Sequence, residues 1–199
     1  MSDADESAPE TNRSTLHHTG IPQQKDGRDI VSVGAYRVLW TFDSACTGEF
    51  EPLRDDIRTK MGRALEAFPE LAGKTVTVGR LDPDEDAVGR ARFYNYMVLF
   101  PVDRVTSWQT VYHELAHLAI HARREDGQDV PTTSEEYCSI LAVSRMPVDR
   151  LDEDRIAYLG HPQVPKAEWP DICQRALKYR EDHHDYIKQC KAWLEVDDE

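Results

Sequence analysis

The sequence predicts an α+β domain in which a short, twisted β-sheet packs against several helices. The main observation is the order of the hydrophobic patterns, which indicates a strand, a helix, two strands and then only helices. A second observation is that 40% of the 199 residues are hydrophobic, which is enough for one core. Residues 1–28 contain hardly any large apolar side chain, so we expect a disordered acidic and polar tail there and a single domain over residues 29–199.

The first half of the domain predicts the sheet and one helix. A partly alternating, β-rich segment predicts a strand near residues 30–42, KTVTVGRL predicts a short strand over 74–81, and ARFYNYMVLF predicts a longer strand over 91–100. Between the first two strands, apolar side chains at helical spacing predict a helix near residues 51–68, namely Leu53, Ile57, Met61, Leu65 and Phe68.

The second half predicts only helices. Thr106 and Gln109 have the spacing of a capping box, so we expect a helix to begin there and to contain VYHELAHLAIH, residues 111–121. Three further helices are expected, over residues 134–146, 152–160 and 172–194. The last of them would be a long C-terminal helix with one apolar face.

The net charge of −13 narrows the range of partners. A chain this acidic is poorly suited to direct nucleic-acid binding through phosphates. Arginine supplies most of the positive charge and Asp outnumbers Glu, a composition typical of halophilic proteins, whose carboxylates stay solvated at high salt. An acidic protein of an ordinary mesophile is the alternative.

Several absences indicate a cytoplasmic protein. No segment is long and apolar enough to span a membrane, and the N-terminus lacks the pattern of a signal peptide. The four cysteines form no CxxC pair, which favours reduced thiols; they are Cys46, Cys138, Cys173 and Cys190. The sequence predicts no oligomeric state.

The segment HELAH has the spacing of a metal site. His113 and His117 are four residues apart, so they lie on one face of a helix and can direct ring nitrogens at one ion. Zinc accepts such nitrogens, and Glu114 would lie beside a zinc-activated water as its general base. The alternative is an amphipathic helix with two solvent histidines on its polar edge. The apolar neighbours favour the metal site, because a buried glutamate is costly without a partner.

The remaining protein ligand must come from another element. His121 lies about 12 Å along the helix from His113, too far to share the ion. Glu135 and Glu136 begin the next helix, although each also fits a capping box with Thr132 or Thr133, respectively.

The neighbours of the two glutamates favour Glu135. Cys138 is small enough for close approach to the HELAH helix, and Ser139 can hydrogen bond to a ligand histidine. Glu136 has Ile140 at the position corresponding to Ser139. Glu135 is therefore the predicted ligand, and Glu136 the alternative.

These motifs resemble those of a known family. HELAHLAIH is similar to the HELGHLLLH-type helix of ImmA/IrrE-like zinc metallopeptidases, and EEYCSILA followed by VSRMP resembles their downstream signature, Glu-x-x-Ala-Asn-x-Phe-Ala running to Leu-Leu-Met-Pro. The resemblance implies a small zincin-like domain of the gluzincin type. It also implies that FYNYMVLF lines the cleft and that its edge could receive a substrate peptide as an added strand.

We therefore expect a zinc-dependent endopeptidase that acts on a protein or peptide. One zinc ion per chain would be bound by His113, His117 and Glu135, with Glu114 as general base. A catalytically silent regulatory or protein-binding module with the same fold is the main alternative, and a metal-free helix is a weaker one. The oxyanion-stabilising residue is not identified; the candidates are Tyr137, Tyr158, His161 and His183, each of which also suits packing or the surface.

Overall fold

The structure is a computed structural model that describes residues 29–41, 48–82, 84–131 and 134–196. Within these residues the protein is α+β, as predicted, with a five-stranded sheet and five α-helices. A continuous cluster of buried apolar side chains connects the sheet to the helices. The predicted tail over residues 1–28 lies outside the described residues.

The sheet has parallel central strands and an antiparallel strand at each edge. Its strands are β1 (Asp29–Val33), β2 (Tyr36–Trp40), β3 (Thr75–Arg80), β4 (Arg90–Arg92) and β5 (Met97–Phe100). They lie in the order β1–β2–β3–β5–β4, and β2, β3 and β5 are parallel neighbours. β1 is antiparallel to β2, and β4 is antiparallel to β5.

Two segments that were each predicted to form one strand form two strands instead. The segment near 30–42 turns between β1 and β2 at Gly34, whose positive φ of 57° suits glycine. The segment 91–100 contains β4, a 3-10 turn at Phe93–Asn95, the left-handed residue Tyr96 and then β5. The single-strand predictions were wrong because apolar residues continue on both sides of each turn, so the pattern does not mark the reversal.

The five helices follow the predicted order over most of the chain. They are α1 (Glu51–Ala64), α2 (Trp108–Glu125), α3 (Glu135–Ser144), α4 (Trp169–Tyr179) and α5 (Tyr186–Trp193). α2 is capped by Ser107 rather than by Thr106, since the Ser107 side chain accepts a hydrogen bond from the Thr110 N–H. Among the described helices, none combines the length and the hydrophobicity needed to cross a lipid bilayer.

The prediction of one long C-terminal helix was wrong. α4 ends at Tyr179 and α5 begins at Tyr186, and the chain folds back between them. The Arg175 guanidinium lies 3.8 Å from the centre of the Trp193 ring, although one straight helix would separate these residues by about 27 Å. The apolar residues of α4 therefore pack against those of α5. This packing brings the thiols of Cys173 and Cys190 together, and they form no disulfide.

The predicted helix over residues 152–160 is also absent. The segment forms a tight loop in which the Ile156 N–H donates to the Gly160 carbonyl and the Gly160 N–H donates to the Ile156 carbonyl. Ile156 and Leu159 are buried, whereas Tyr158 between them is exposed and has a positive φ of 62°. Burial of the Ile156 and Leu159 side chains in the core stabilises this loop more than the helical pattern of the segment favours a helix.

Helix α2 is the central helix of the fold. Its residues 111–120 are all buried, and it packs against α1, α3 and the edge strand β4. α3 packs in turn on α4. This arrangement places HELAH between α3 on one side and β4 on the other.

Candidate metal centre

Three side chains from two helices converge on one point. The His113 Nε2 and His117 Nε2 atoms of α2 are 3.1 Å apart, and the Glu135 Oε2 atom at the start of α3 lies 2.9 Å from the first and 3.1 Å from the second. Ligand atoms around a tetrahedral zinc ion are roughly 3.3 Å apart, given metal–ligand distances of about 2.0–2.2 Å. The group could therefore bind a metal ion with little movement.

Local structure explains why these three groups meet. The helical repeat puts both imidazoles on the face of α2 that packs against α3, with ring centres 4.8 Å apart. Ser134 caps α3 by accepting a hydrogen bond from the Tyr137 N–H, so Glu135 is the first residue of that helix. The charge of Glu136 acts instead on Tyr186, away from the histidines. The structure thus brings Glu135 to the two histidines.

Each histidine has a buried partner behind it. The Ser139 Oγ lies 3.1 Å from the His113 Nδ1, and the Cys138 Sγ lies 3.2 Å from the His117 Nδ1. If the Nε2 atoms bound a metal, each ring proton would lie on Nδ1, which would donate a hydrogen bond to Ser139 or Cys138 and so hold the ring in place. The predicted contact of Ser139 is confirmed, while the sequence suggested only that Cys138 is small.

The protonation states suit a cation. Burial, together with the neighbouring His113, lowers the pKa of His117, so its ring is neutral at neutral pH. The hydrogen bond from His113 lowers the pKa of Glu135, so its carboxylate is ionised. Neutral imidazole and ionised carboxylate are the forms in which these groups bind metals.

Glu114 lies beside the cluster without being part of it. Its side chain is buried, and its carboxylate accepts a hydrogen bond from the backbone N–H of Ala91 in β4. Burial raises the pKa of Glu114 to about 7, and the charge of Glu135 contributes in the same direction. A carboxyl group with a pKa near neutrality is suited to taking up and releasing protons.

A cavity of about 1070 Å³ opens over His113 and Glu114. One wall is the loop before β4, including Val88 and Gly89, and the other is the loop that carries Tyr158 and His161. The space is sufficient for a segment of peptide, and it gives the candidate metal group access to a substrate.

The structure separates the four oxyanion candidates into two pairs. Tyr158 and His161 line the cavity, and the Tyr158 ring stacks on His113 with centres 5.5 Å apart. Tyr137 is buried against Tyr186, and His183 stacks on Tyr179 at 3.8 Å. Neither member of the second pair lines the cavity.

His121 is outside the cluster, as expected from its distance along the helix. Its Nε2 lies 3.4 Å from the Glu125 Oε1, and its ring contacts Phe93 and Tyr96. The sequence prediction missed the backbone N–H of Ala91 and the close approach of Gly89 to Glu114. No local pattern marks them, since both depend on how β4 packs against α2.

The sequence matches no protein-family model, no curated protein and no solved structure. The interpretation of the site therefore depends on its own geometry. That geometry is two imidazoles and one carboxylate around a common point, with a second, buried carboxyl group beside them at the wall of a cavity.

Proposed function

We propose that the protein is a zinc-dependent metallopeptidase with a zincin-like fold. His113, His117 and Glu135 would bind one zinc ion per chain, and Glu114 would be the general base. The observation that supports this most directly is the convergence of the three ligand atoms within 3.1 Å of one another, with Glu114 and the ligand His113 lining one cavity.

The donor set supports zinc over Mg²⁺ and Ca²⁺. Two imidazole nitrogens and one carboxylate are the ligands of many catalytic zinc sites, whereas Mg²⁺ and Ca²⁺ prefer oxygen ligands alone. The cavity over His113 leaves an open side for substrate. When bound, zinc supplies Lewis acidity, which lowers the pKa of a water molecule and polarises the substrate carbonyl.

Glu114 would carry the proton through the reaction. The pKa of Glu114, near 7 without a metal, would be lowered by a cation bound beside it, so that the group would start as a carboxylate. It takes a proton from the attacking water as the new C–O bond forms. It then gives that proton to the peptide nitrogen as the C–N bond breaks, which yields a free carboxylate and a free amine.

The sheet edge next to the site suits an extended substrate. β4 is the edge strand that packs against α2, and within the described residues only one of its sides is paired, with β5. A peptide lying along the free side as an added strand would run past Glu114, which is hydrogen-bonded to Ala91 of the same strand.

The experiment that tests this function measures zinc content and cleavage together. Purified protein is loaded with zinc, dialysed, and analysed for metal by mass spectrometry and for cleavage of an unbiased peptide library. We expect about one zinc per chain. Glu114→Gln should keep the zinc and lose about 10²–10⁴-fold in cleavage rate, because proton transfer is removed while the ligands are not.

The ligand assignment has a matched control on the same helical turn. Glu135→Ala should lose most of the zinc, whereas Glu136→Ala should keep both zinc and activity. Full activity in Glu114→Gln would contradict the mechanism. Stoichiometric zinc without cleavage of any peptide would instead indicate the catalytically silent binding module.

A further inference from the structure

Tyr158 lines the cavity, and its ring stacks on the candidate metal ligand His113. Its ring lies over the His113 ring with an interplanar angle of 22°, and 59% of its surface is exposed. Burial raises the pKa of its phenol most, and the negative charges of Glu135 and Glu114 raise it further. The hydroxyl therefore lies close enough to both carboxylates to be affected by their charge. Tyr158 therefore belongs to the same site as the ligands and Glu114.

The backbone at Tyr158 is strained. Its φ of 62° lies in the left-handed region, which is unfavourable for a residue with a bulky side chain. The loop maintains this conformation through the reciprocal hydrogen bonds of Ile156 and Gly160, at 2.9 and 3.0 Å, and through the buried side chains of Ile156 and Leu159.

Apart from the stack on His113, the strained conformation brings Tyr158 little burial. Tyr158 is among the most exposed large aromatic residues described, so its side chain gains little from burial. Strain that is maintained by the surroundings and turned towards a reactive site is a common sign of a functional residue.

The other candidate on the cavity wall is placed differently. His161 is exposed, and its charge acts on Asp154. No ring contact joins it to either histidine of the cluster within the described residues. Tyr158 is the residue of this loop that combines a hydrogen-bond donor with direct contact to His113.

We propose that Tyr158 is a catalytic residue whose hydroxyl donates a hydrogen bond to the carbonyl oxygen of the scissile peptide bond. This proposal rests on the proposed peptidase function. As water adds to the carbonyl carbon, the electron pair of the C=O bond moves to that oxygen, and the hydrogen bond becomes stronger. When the C–N bond breaks, the C=O bond forms again, and Tyr158 keeps its proton throughout.

The phenol is suited to this task because its ordinary pKa is about 10, so it is a neutral donor at neutral pH. The stack on His113 fixes the direction of the ring relative to the metal ligands. A donor placed in advance requires no reorganisation during the reaction, and loss of one such donor costs about 10²–10³-fold in kcat.

The test uses Tyr158→Phe, which keeps the ring and its stack and removes only the hydroxyl. With a fluorogenic peptide taken from the cleavage library, we expect kcat to fall by about 10²–10³-fold while KM changes by less than about 3-fold. Zinc content should remain at one per chain. Tyr179→Phe is the matched control, because Tyr179 lies in α4, stacks on His183 and does not line the cavity, and this variant should keep the kcat and KM of the wild type.

A second readout uses a peptide phosphonate, whose negative oxygen mimics the one formed in the reaction. Its affinity for the zinc-loaded protein, measured by calorimetry, should fall in Tyr158→Phe by a factor similar to that in kcat. A change confined to KM, or unchanged kcat and phosphonate affinity, would overturn the proposal for Tyr158.

The outcomes separate this proposal from the function on which it rests. If Glu114→Gln is inactive and Tyr158→Phe is fully active, the peptidase function stands and the role of Tyr158 is wrong. If the wild type cleaves no peptide, or if Glu114→Gln retains full activity, the peptidase mechanism itself fails and the role of Tyr158 fails with it.

Discussion

Two residues, Gly89 and Ala91, position the Glu114 side chain through their backbone. The Ala91 N–H donates a hydrogen bond to its carboxylate, and Gly89 lies against the same side chain. A Cβ atom at Gly89 would lie 2.9 Å from both the Glu114 Cγ and the Glu114 Oε1, closer than real contacts allow. The absence of a side chain at position 89 therefore leaves the space that the candidate base occupies.

Gly89→Ala should impair cleavage without removing the metal. The added methyl group displaces the Glu114 carboxylate or β4, and a displacement of about 1 Å in a catalytic group can cost about 10²-fold in rate. The measurements are the cleavage rate and the zinc content of the purified variant.

Gly62→Ala is the matched control, because Gly62 is within α1 and has no atom within 4 Å of the position of an added Cβ. It should leave the rate unchanged and stabilise the fold by up to about 1 kcal/mol. A wild-type rate in Gly89→Ala would show that the contact with Glu114 does not position the carboxylate.

Among the elements, α3 completes the candidate metal centre, because it carries Glu135. Its C-terminal end is attached to the rest of the fold by Arg145, whose Nη1 and Nη2 atoms donate to the two Glu70 carboxylate oxygens at 2.8 and 2.6 Å. Glu70 belongs to the 3-10 turn Pro69–Leu71 that follows α1. This pair thus links the α1 region to the helix that completes the candidate metal centre.

The Glu70–Arg145 pair should make stability depend on acid pH. Burial alone would raise the pKa of Glu70, but the hydrogen bonds and charge of Arg145 outweigh it, so the folded pKa lies below the ordinary value of 4.5. The stabilisation is therefore complete above pH 4.5 and is lost as the pH falls through the folded pKa.

Glu70→Gln tests this dependence. At pH 7 it should lower the free energy of unfolding by about 2 kcal/mol, the cost of losing charged hydrogen bonds. The difference from the wild type should shrink as the pH falls below 4.5. Urea denaturation across this range measures it, with Glu66→Gln on the exposed side of the same region as control. A difference that stays constant down to pH 3 would contradict the prediction.

At the scale of the whole molecule, the ligands of the candidate metal centre come from two helices, α2 and α3, which are connected by a loop. His113 and His117 belong to α2, and Glu135 belongs to α3. A bound ion would hold these helices together in the folded state only, because the three ligands are not close together in an unfolded chain. Metal binding should therefore stabilise the entire fold.

Zinc should raise the melting temperature of the metal-free protein. At free zinc of about 100 times Kd the gain is about 2.7 kcal/mol, which corresponds to roughly 5–10 °C for a chain of this size. Calorimetry with and without zinc measures it, and Mg²⁺ at the same concentration should have no effect. Glu135→Ala should lose most of the shift and Glu136→Ala should keep it. Equal shifts in the two variants would argue against Glu135 as a ligand.

Part of the architecture could be predicted because its signals are local. The order of strands and helices up to α3 follows from periodicity and caps, and α1 and α2 lie within a few residues of their predicted ends. The failures occur where the chain reverses inside an apolar pattern. At residues 180–185 one apparent helical face folds back on itself, and at 152–160 two apolar anchors form a loop instead of a helix.

The sequence by itself determined which residues of α2 lie together at the site. The spacing of His113, Glu114 and His117 is a property of one helix, so the 3.6-residue repeat alone places them side by side and excludes His121 from the cluster. It also narrowed the third ligand to Glu135 or Glu136. Only the tertiary structure shows that Glu135 is the glutamate beside the two histidines, because its position depends on how α3 packs against α2.

The same reason applies to the rest of the site. The hydrogen bond of Ala91, the close approach of Gly89 and the stack of Tyr158 on His113 join segments that lie 23 to 45 residues apart in the sequence. Hydrophobic periodicity describes which side of an element is buried, but not which other element buries it. The tertiary packing of β4, α2 and the loop at Ile156–Gly160 supplies that information.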